Sequence, residues 1–263
     1  AGGQSLVPLL SMRLAAPSAL VDINAVPDLD HVRTDEKGVR VGALARHAAV
    51  LADPEARRVQ PLVSLALQRV AHPTIRNRGT TVGSLVHADA SAEMPVVLVL
   101  LGGSITAASV AGTRTIEAAD LYVGPLESTL RHDEIATEAF FPALPDDAGV
   151  AFDEIARRHG DYALCGVAAV VRADEAGSIT SVRAGYLSVS DLPTVVDLSE
   201  AFAAGTLDDA SLDAAADLAL ASLDPAADIH ATADYRAHLA RVLTKRVVRQ
   251  AHDDCTARRE GDA

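Results

Sequence analysis

Residues 71–95 read AHPTIRNRGTTVGSLVHADASAEMP, a run rich in hydroxyls, charges and glycine and poor in apolar periodicity. Its centre, Thr80-Thr81-Val82-Gly83-Ser84, brings three hydroxyls beside a residue with no side chain, where a backbone can approach a ligand closely. The stretch is predicted as a loop between two helical segments, and it is long enough to wrap a small molecule. A second segment, Ala1-Gly2-Gly3-Gln4-Ser5, opens the chain. Adjacent glycines before a helix turn backbone N–H groups outward, and Ser5 is placed to cap that helix. Both segments suit an anion with several oxygens. Each amide bond to a charged oxygen contributes about 1.5–3 kcal/mol, so a few of them would dominate binding. Taken alone, the first segment also reads as an ordinary turn with a helix cap.

Asp89 and Glu93 follow the second segment four residues apart. They read as a helix cap and a hydroxyl acceptor rather than as a general acid–base pair. His72 and His87 lack the spacing or companions of a metal site, so no metal ligand is assigned. No catalytic nucleophile or acid is assigned either. GXGXXG is absent, which leaves no sign of an independent Rossmann nucleotide site.

The chain has 263 residues, 49% hydrophobic and 22% charged, which is globular composition. A net charge of −13 argues against a nucleic-acid surface. No apolar run reaches the length of a membrane span, and no signal peptide is visible, so a cytoplasmic location is expected. Two cysteines cannot supply the four thiolates of an iron–sulfur cluster. Redox chemistry within this chain would therefore need an organic cofactor. Cys165 reads as a core thiol and Cys255 as part of a polar tail.

The positioning elements can be read from periodicity. A helix is predicted over residues 5–14, a strand over 19–23, and a hairpin over 32–42. One amphipathic helix is predicted over 57–71, followed by loop through 74–92 and a buried helix at MPVVLVLLGG. SITAAS and TRTIEA form a predicted hairpin, and EIATEAFFP a strand ending at Pro142. Strands are predicted over 150–158, 163–173 and 178–190, and only helices from residue 197 onward. The fold class is α+β. A Pro/Asp/Gly linker near 144–149 divides residues 1–146 from 147–252, with a polar tail over 253–263.

Taken together, the segments resemble a known family: the FAD-binding (medium) subunit of molybdenum hydroxylases, in the carbon monoxide dehydrogenase and xanthine dehydrogenase group. The likeness runs through residues 1–23, 72–95, RRHGDYAL at 157–164 and DIHATADYRAHLARVLTKR at 228–246. It implies a two-subdomain, PCMH-type FAD-binding domain, its N-terminal part expected upstream, and then a domain of small antiparallel sheet plus helices. It further implies that Ala1, Gly2, Gly3, Gln4 and Ser5 cradle the FAD pyrophosphate with Thr80, Thr81, Val82, Gly83 and Ser84. Asp89 and Glu93 would face the dinucleotide, and Tyr162 the isoalloxazine ring.

Relatives usually carry two glycines where this chain has Val82-Gly83. A β-branched residue avoids positive φ, so Val82 is expected in an extended conformation or in a shifted loop. The resemblance implies partners as well. These are a small subunit with two iron–sulfur clusters and a large subunit with the molybdenum cofactor, as a dimer of heterotrimers. Electrons would pass through FAD to an external acceptor. Two alternatives stay open: a scaffold subunit with impaired flavin binding, and a stand-alone flavin oxidase of related fold. Arg236, Arg241, Lys245, Arg246 and Arg249 give the last helix a basic side, either solvated or a docking face for an acidic partner.

Overall fold

The structure is a computed structural model and describes residues 1–261. The chain opens with the Ala1–Ser5 loop and helix α1 (Leu6–Ser11). Residues 12–26 then run as exposed coil, and the predicted strand over 19–23 does not form. Leu20 and Val21 are exposed there and have no neighbouring strand to pair with.

The hairpin follows as β1 (Val32–Asp35) and β2 (Gly38–Gly42), tightened by the Asp35 carboxylate, which accepts from the Lys37 and Gly38 amides. Next come α2 (His47–Ala52), α3 (Pro54–Val59) and α4 (Pro61–Arg69). The single helix predicted over 57–71 is thus two. Pro61 disfavours helical backbone at Gln60, and the chain breaks there. The Gln60 side chain caps α4 at the Leu62 amide and donates to the Pro142 carbonyl, so the break is satisfied internally.

The predicted loop over 74–92 also folds, into α5 (Pro73–Arg76) and α6 (Thr81–His87). Then come α7 (Glu93–Leu101), β3 (Ser104–Ser109), β4 (Gly112–Glu117), the short pair β5 (Tyr122–Gly124) and β6 (Glu127–Ser128), and β7 (Ile135–Pro142). Apart from the separately paired β5 and β6, the strands so far form a five-stranded antiparallel sheet in the order β1-β2-β7-β3-β4.

A second sheet, β11-β10-β9-β8, is built from β8 (Ala148–Ala156), β9 (Ala163–Ala173), β10 (Ile179–Leu187) and β11 (Thr194–Asp197). The sequence reading missed β11 and gave helix for DLSEAFAAG, which holds only a 3-10 turn at Ser199–Phe202. Two helices cover one face: α8 (Asp209–Ser222), with an Asp208/Ser211 capping box, and α9 (Ala233–Glu260). β9 reads ALCGVAAVVRA without polar alternation because helices cover both of its faces. Its other face packs on α7, whose apolar side chains are buried almost all round. One cluster of buried side chains thereby runs from the first sheet through α7 into Val150, Phe152 and Leu187 of the second.

The polar tail predicted over 253–263 is helix as far as Glu260, and residues 262–263 lie outside the described residues. Cys255 is buried, its thiol directed at the Asp147 carbonyl 3.4 Å away. Gly149 explains how α9 comes so close. A Cβ there would collide with the Ala251 carbonyl and the Cys255 amide. Overpacking a close contact of this kind costs about 1–3 kcal/mol or more. Gly149→Val is therefore expected to lower unfolding stability by at least that amount in chemical denaturation.

Candidate functional site

A cavity of about 510 Å³ lies between the first loop, α6, the start of α7 and the β8–β9 turn. Its size falls within the range of small-molecule and cofactor pockets. Of the predicted residues, Ala1, Gly2, Gly3, Gln4, Ser5, Thr80, Gly83, Ser84, Glu93 and Tyr162 line it. Thr81, Val82 and Asp89 do not.

The first loop meets the second segment backbone to backbone. A Cβ on Gly2 would overlap the Arg78 carbonyl and the Gly79 Cα, so only glycine permits the contact. Gly3 has φ +72°, a left-handed conformation that glycine adopts at little cost. Arg46 holds both sides. Its guanidinium donates to the Arg78 carbonyl at 2.8 Å and to Asn24 at 2.7 Å, and Asn24 in turn donates to the Ala1 carbonyl at 3.0 Å. Ser5 stands at the N-cap of α1 but its hydroxyl makes no cap bond, contrary to the sequence reading, and the residue lines the cavity.

The second segment works differently from expectation. Thr80 caps α6 by accepting from the Gly83 amide at 3.2 Å. The Thr81 amide donates to the Ala45 carbonyl and the Ser84 amide to the Thr80 carbonyl. Those three amides are consumed inside the protein, so this segment offers hydroxyls and shape rather than an amide cradle. Val82 is not extended. It is helical, and its side chain is buried in the core beneath the cavity. Gly83 is needed for space, since a Cβ would sit 2.6 Å from the Thr80 hydroxyl oxygen.

His47 had no distinguishing signal in the sequence. It is 4% exposed and lines the cavity, its amide donates to the Gly79 carbonyl at 3.0 Å, and its Nδ1 lies 3.2 Å from the Thr81 hydroxyl. Burial, and then Arg76, push its pKa down to about 4, so the ring is neutral. Arg46 and Gly79 were missed too, although the Gly79-Thr80 pair flanks the segment singled out.

Glu93 caps nothing, because Ala92 holds the N-cap of α7 without a side-chain bond. Burial, and next the Asp89 carboxylate, raise Glu93 to about 7. Asp89 accepts from the Ser91 amide and lines a separate cavity of about 260 Å³. Tyr162 stands at the rim, 59% exposed. Enclosure of its hydroxyl end, and then Asp89, raise its pKa. Gly160 in the same turn packs on the His72 ring, closing the second sheet onto the first unit. Among the described residues no cluster of three or more ligating side chains includes His72 or His87.

The basic side of α9 is not a free docking face. Arg241 pairs with Asp217, Lys245 with Asp213 and Arg249 with Asp209, all on α8. Arg246 pairs with Asp153, and the buried Arg236 binds the Leu164 and Ser188 carbonyls and Asp228.

A glycine-rich loop with free amides, facing hydroxyls across a cavity of cofactor size, defines a protein built to hold an extended anionic ligand. The chain belongs to the molybdenum hydroxylase flavoprotein family. Residues 1–144 match the FAD binding domain in molybdopterin dehydrogenase, and residues 150–251 match the CO dehydrogenase flavoprotein C-terminal domain. It is 42% identical over 254 residues to the 6-hydroxypseudooxynicotine dehydrogenase complex subunit alpha of Paenarthrobacter nicotinovorans, covering 95% of this chain and 85% of that protein. It is 32% identical to the carbon monoxide dehydrogenase medium chain of Afipia carboxidovorans, covering 95% and 87%. Its structure is similar to quinoline 2-oxidoreductase from Pseudomonas putida 86, with a TM-score of 0.89 and 36% identity over 97% of this chain and 89% of that one.

The buried neutral His47 makes the site acid-sensitive. In the unfolded chain its imidazole takes a proton near its ordinary value of 6.5, but in the folded chain only near 4. Stability is thus lost as pH falls through that window, by up to about 3 kcal/mol. His47→Gln is expected to flatten this part of the profile in paired denaturation curves at stepped pH; parallel profiles for the two proteins would contradict it.

Proposed function

We propose that this chain is the flavin-carrying electron-transfer subunit of a molybdenum-containing hydroxylase or dehydrogenase complex. The observation that carries the reading is the convergence of the Ala1–Ser5 amides with Thr80, Gly83 and Ser84 on one cavity that has Tyr162 at its mouth. The residues fit the group. The Gly2, Gly3 and Ser5 amides make no bond to other described residues and would hold the pyrophosphate, with the Ser5 and Ser84 hydroxyls beside them. Glu93 would accept from or donate to a dinucleotide hydroxyl, and Tyr162 would pack against the isoalloxazine ring. Asp89 acts one step back, through its field on Tyr162 and Glu93. Thr81 and Val82 support the cavity from behind.

When bound, FAD supplies the capacity to take up electrons and pass them on. The chain's own work is to hold the dinucleotide's charge, exclude water from one side of the ring, and keep a neutral His47 beside an anionic ligand. Under this reading a small partner with two iron–sulfur clusters delivers the electrons. A large partner with the molybdenum cofactor performs the hydroxylation, in a cytoplasmic dimer of heterotrimers. No helix among the described residues is long and apolar enough to cross a membrane. The names of several relatives refer to nitrogen heterocycles, including nicotine, caffeine and quinoline. Such compounds are the substrates to test first on the complex.

Co-expression with the proteins encoded beside this chain provides the test. The purified complex is expected to carry flavin, iron and molybdenum, and substrate is expected to bleach its flavin absorbance. A flavin-free complex would support a scaffold role, and substrate oxidation by this chain alone a stand-alone oxidase. Gly83→Val is expected to weaken FAD binding at least tenfold in a fluorescence titration, by displacing Thr80 and filling the cavity wall; unchanged affinity would remove that segment from the site.

A further inference from the structure

The buried ring of His47 has a partner on one of its two nitrogens among the described residues, and it lines the cavity. We propose that the Thr81 hydroxyl holds this ring in the tautomer that carries its proton on Nε2, and that the Nε2–H donates to a pyrophosphate oxygen of the bound dinucleotide. The donation rests on the assignment of the cavity to FAD; the tautomer does not.

His47 opens α2, and the backbone around it is joined to the second segment. Its amide donates to the Gly79 carbonyl at 3.0 Å, the Thr81 amide donates to the Ala45 carbonyl at 3.3 Å, and Arg46 and Thr80 form an antiparallel bridge between these bonds. The ring is thereby set against Gly79. A Cβ on Gly79 would stand 3.0 Å from the His47 Cδ2 and 3.4 Å from Nε2, so the missing side chain leaves that edge of the ring uncovered. Gly79 is also where the Gly2 backbone arrives, carrying the loop whose amides are uncommitted. The Nε2 edge therefore lies at the meeting of the two segments that would hold the pyrophosphate.

Hydrogen-bond accounting places the proton. Thr81 is fully buried, and among the described residues its hydroxyl has one partner, His47 Nδ1 at 3.2 Å. If Nδ1 were the donor, the hydroxyl proton would be buried without an acceptor, which costs more than the bond returns. The hydroxyl therefore donates and Nδ1 accepts. Burial keeps the ring neutral, its pKa pushed down to about 4, so its one proton sits on Nε2. That N–H makes no bond to a described residue. The Ile75 carbonyl on the same side already accepts from the Arg78 and Gly79 amides. A side chain 4% exposed with an unmade donor is completed by a ligand in the cavity it lines, and a phosphate oxygen makes the resulting bond charge-assisted. Thr81 touches no ligand in this arrangement. It acts through His47 and is a positioning residue.

The tautomer is tested in the complete, flavin-free chain at neutral pH by proton–nitrogen NMR of the imidazoles, with the His47 signals assigned by their loss in His47→Gln. Wild type is expected to show a bare Nδ1 and a protonated Nε2, and Thr81→Val a mixture of both forms. A protonated Nδ1 in wild type, or a tautomer indifferent to Thr81→Val, would overturn the proposal.

The donation is tested by titrating the same chain with FAD and with ADP, which carries the pyrophosphate without the flavin. His47→Leu is expected to weaken both at least about tenfold, the loss of one bond to a charged oxygen. His47→Gln, whose amide nitrogen reaches the place of Nε2, is expected to recover much of that loss. One phosphorus resonance of bound FAD is expected to move between wild type and His47→Gln. Wild-type affinity in His47→Leu, or two unmoved phosphorus resonances, would overturn the donation and leave the cavity assignment standing. Should His47→Leu fail to fold, Thr81→Val decides by an expected loss of about threefold in FAD affinity, and unchanged affinity there counts against the proposal. Failure of wild type to bind either FAD or ADP would instead overturn the cavity assignment, and the donation with it.

Discussion

Everything at the site depends on the contact between the Gly2 backbone and the Arg78–Gly79 backbone. Two segments far apart in sequence touch main chain to main chain, with no side chain between them. Arg46 spans the junction, bound to the Arg78 carbonyl on one side and, through Asn24, to the Ala1 carbonyl on the other. Separation of the segments by the width of one methyl group would leave the loop amides aimed at nothing. A preformed array of this kind has its ordering cost met during folding, so less of the binding energy is spent on organising the loop.

The net charge of −13 makes that array informative. An acidic protein can hold an anion only where local dipoles and donors outweigh the overall field. Here the donors come from the first loop, while the amides of the second segment are consumed by the Thr80 cap and neighbouring carbonyls. The second segment contributes hydroxyls and a wall. The cavity is asymmetric, with uncommitted amides on one side and hydroxyls and a wall on the other.

What could be read from sequence follows from what acts locally. Strands β8 to β10, the Gly38 hairpin and the apolar helix α7 showed themselves through periodicity and turn residues. Helix α6 did not, because TTVGSLVH holds β-branched residues and a glycine that disfavour helix; the Thr80 cap and burial of Val82 override that preference. Two of the segments that meet at the cavity were legible from their glycines and hydroxyls. His47 and Arg46 were not, since nothing local marks a histidine as buried or an arginine as spanning two loops. The ion pairs on the basic side of α9 were not legible either, as its partners on α8 lie 24 to 40 residues away in the chain.

The seam between the two units has a mechanical meaning. Glu93 and its helix belong to the first unit but lie against the second sheet, and Tyr162 and Gly160 come from the second unit to the rim. A molecule filling this space would touch both units at once, as a keystone touches both arms of an arch. Occupancy would then brace the seam, and the loaded protein would resist heat and proteolysis at the joint by the amount that mass action dictates.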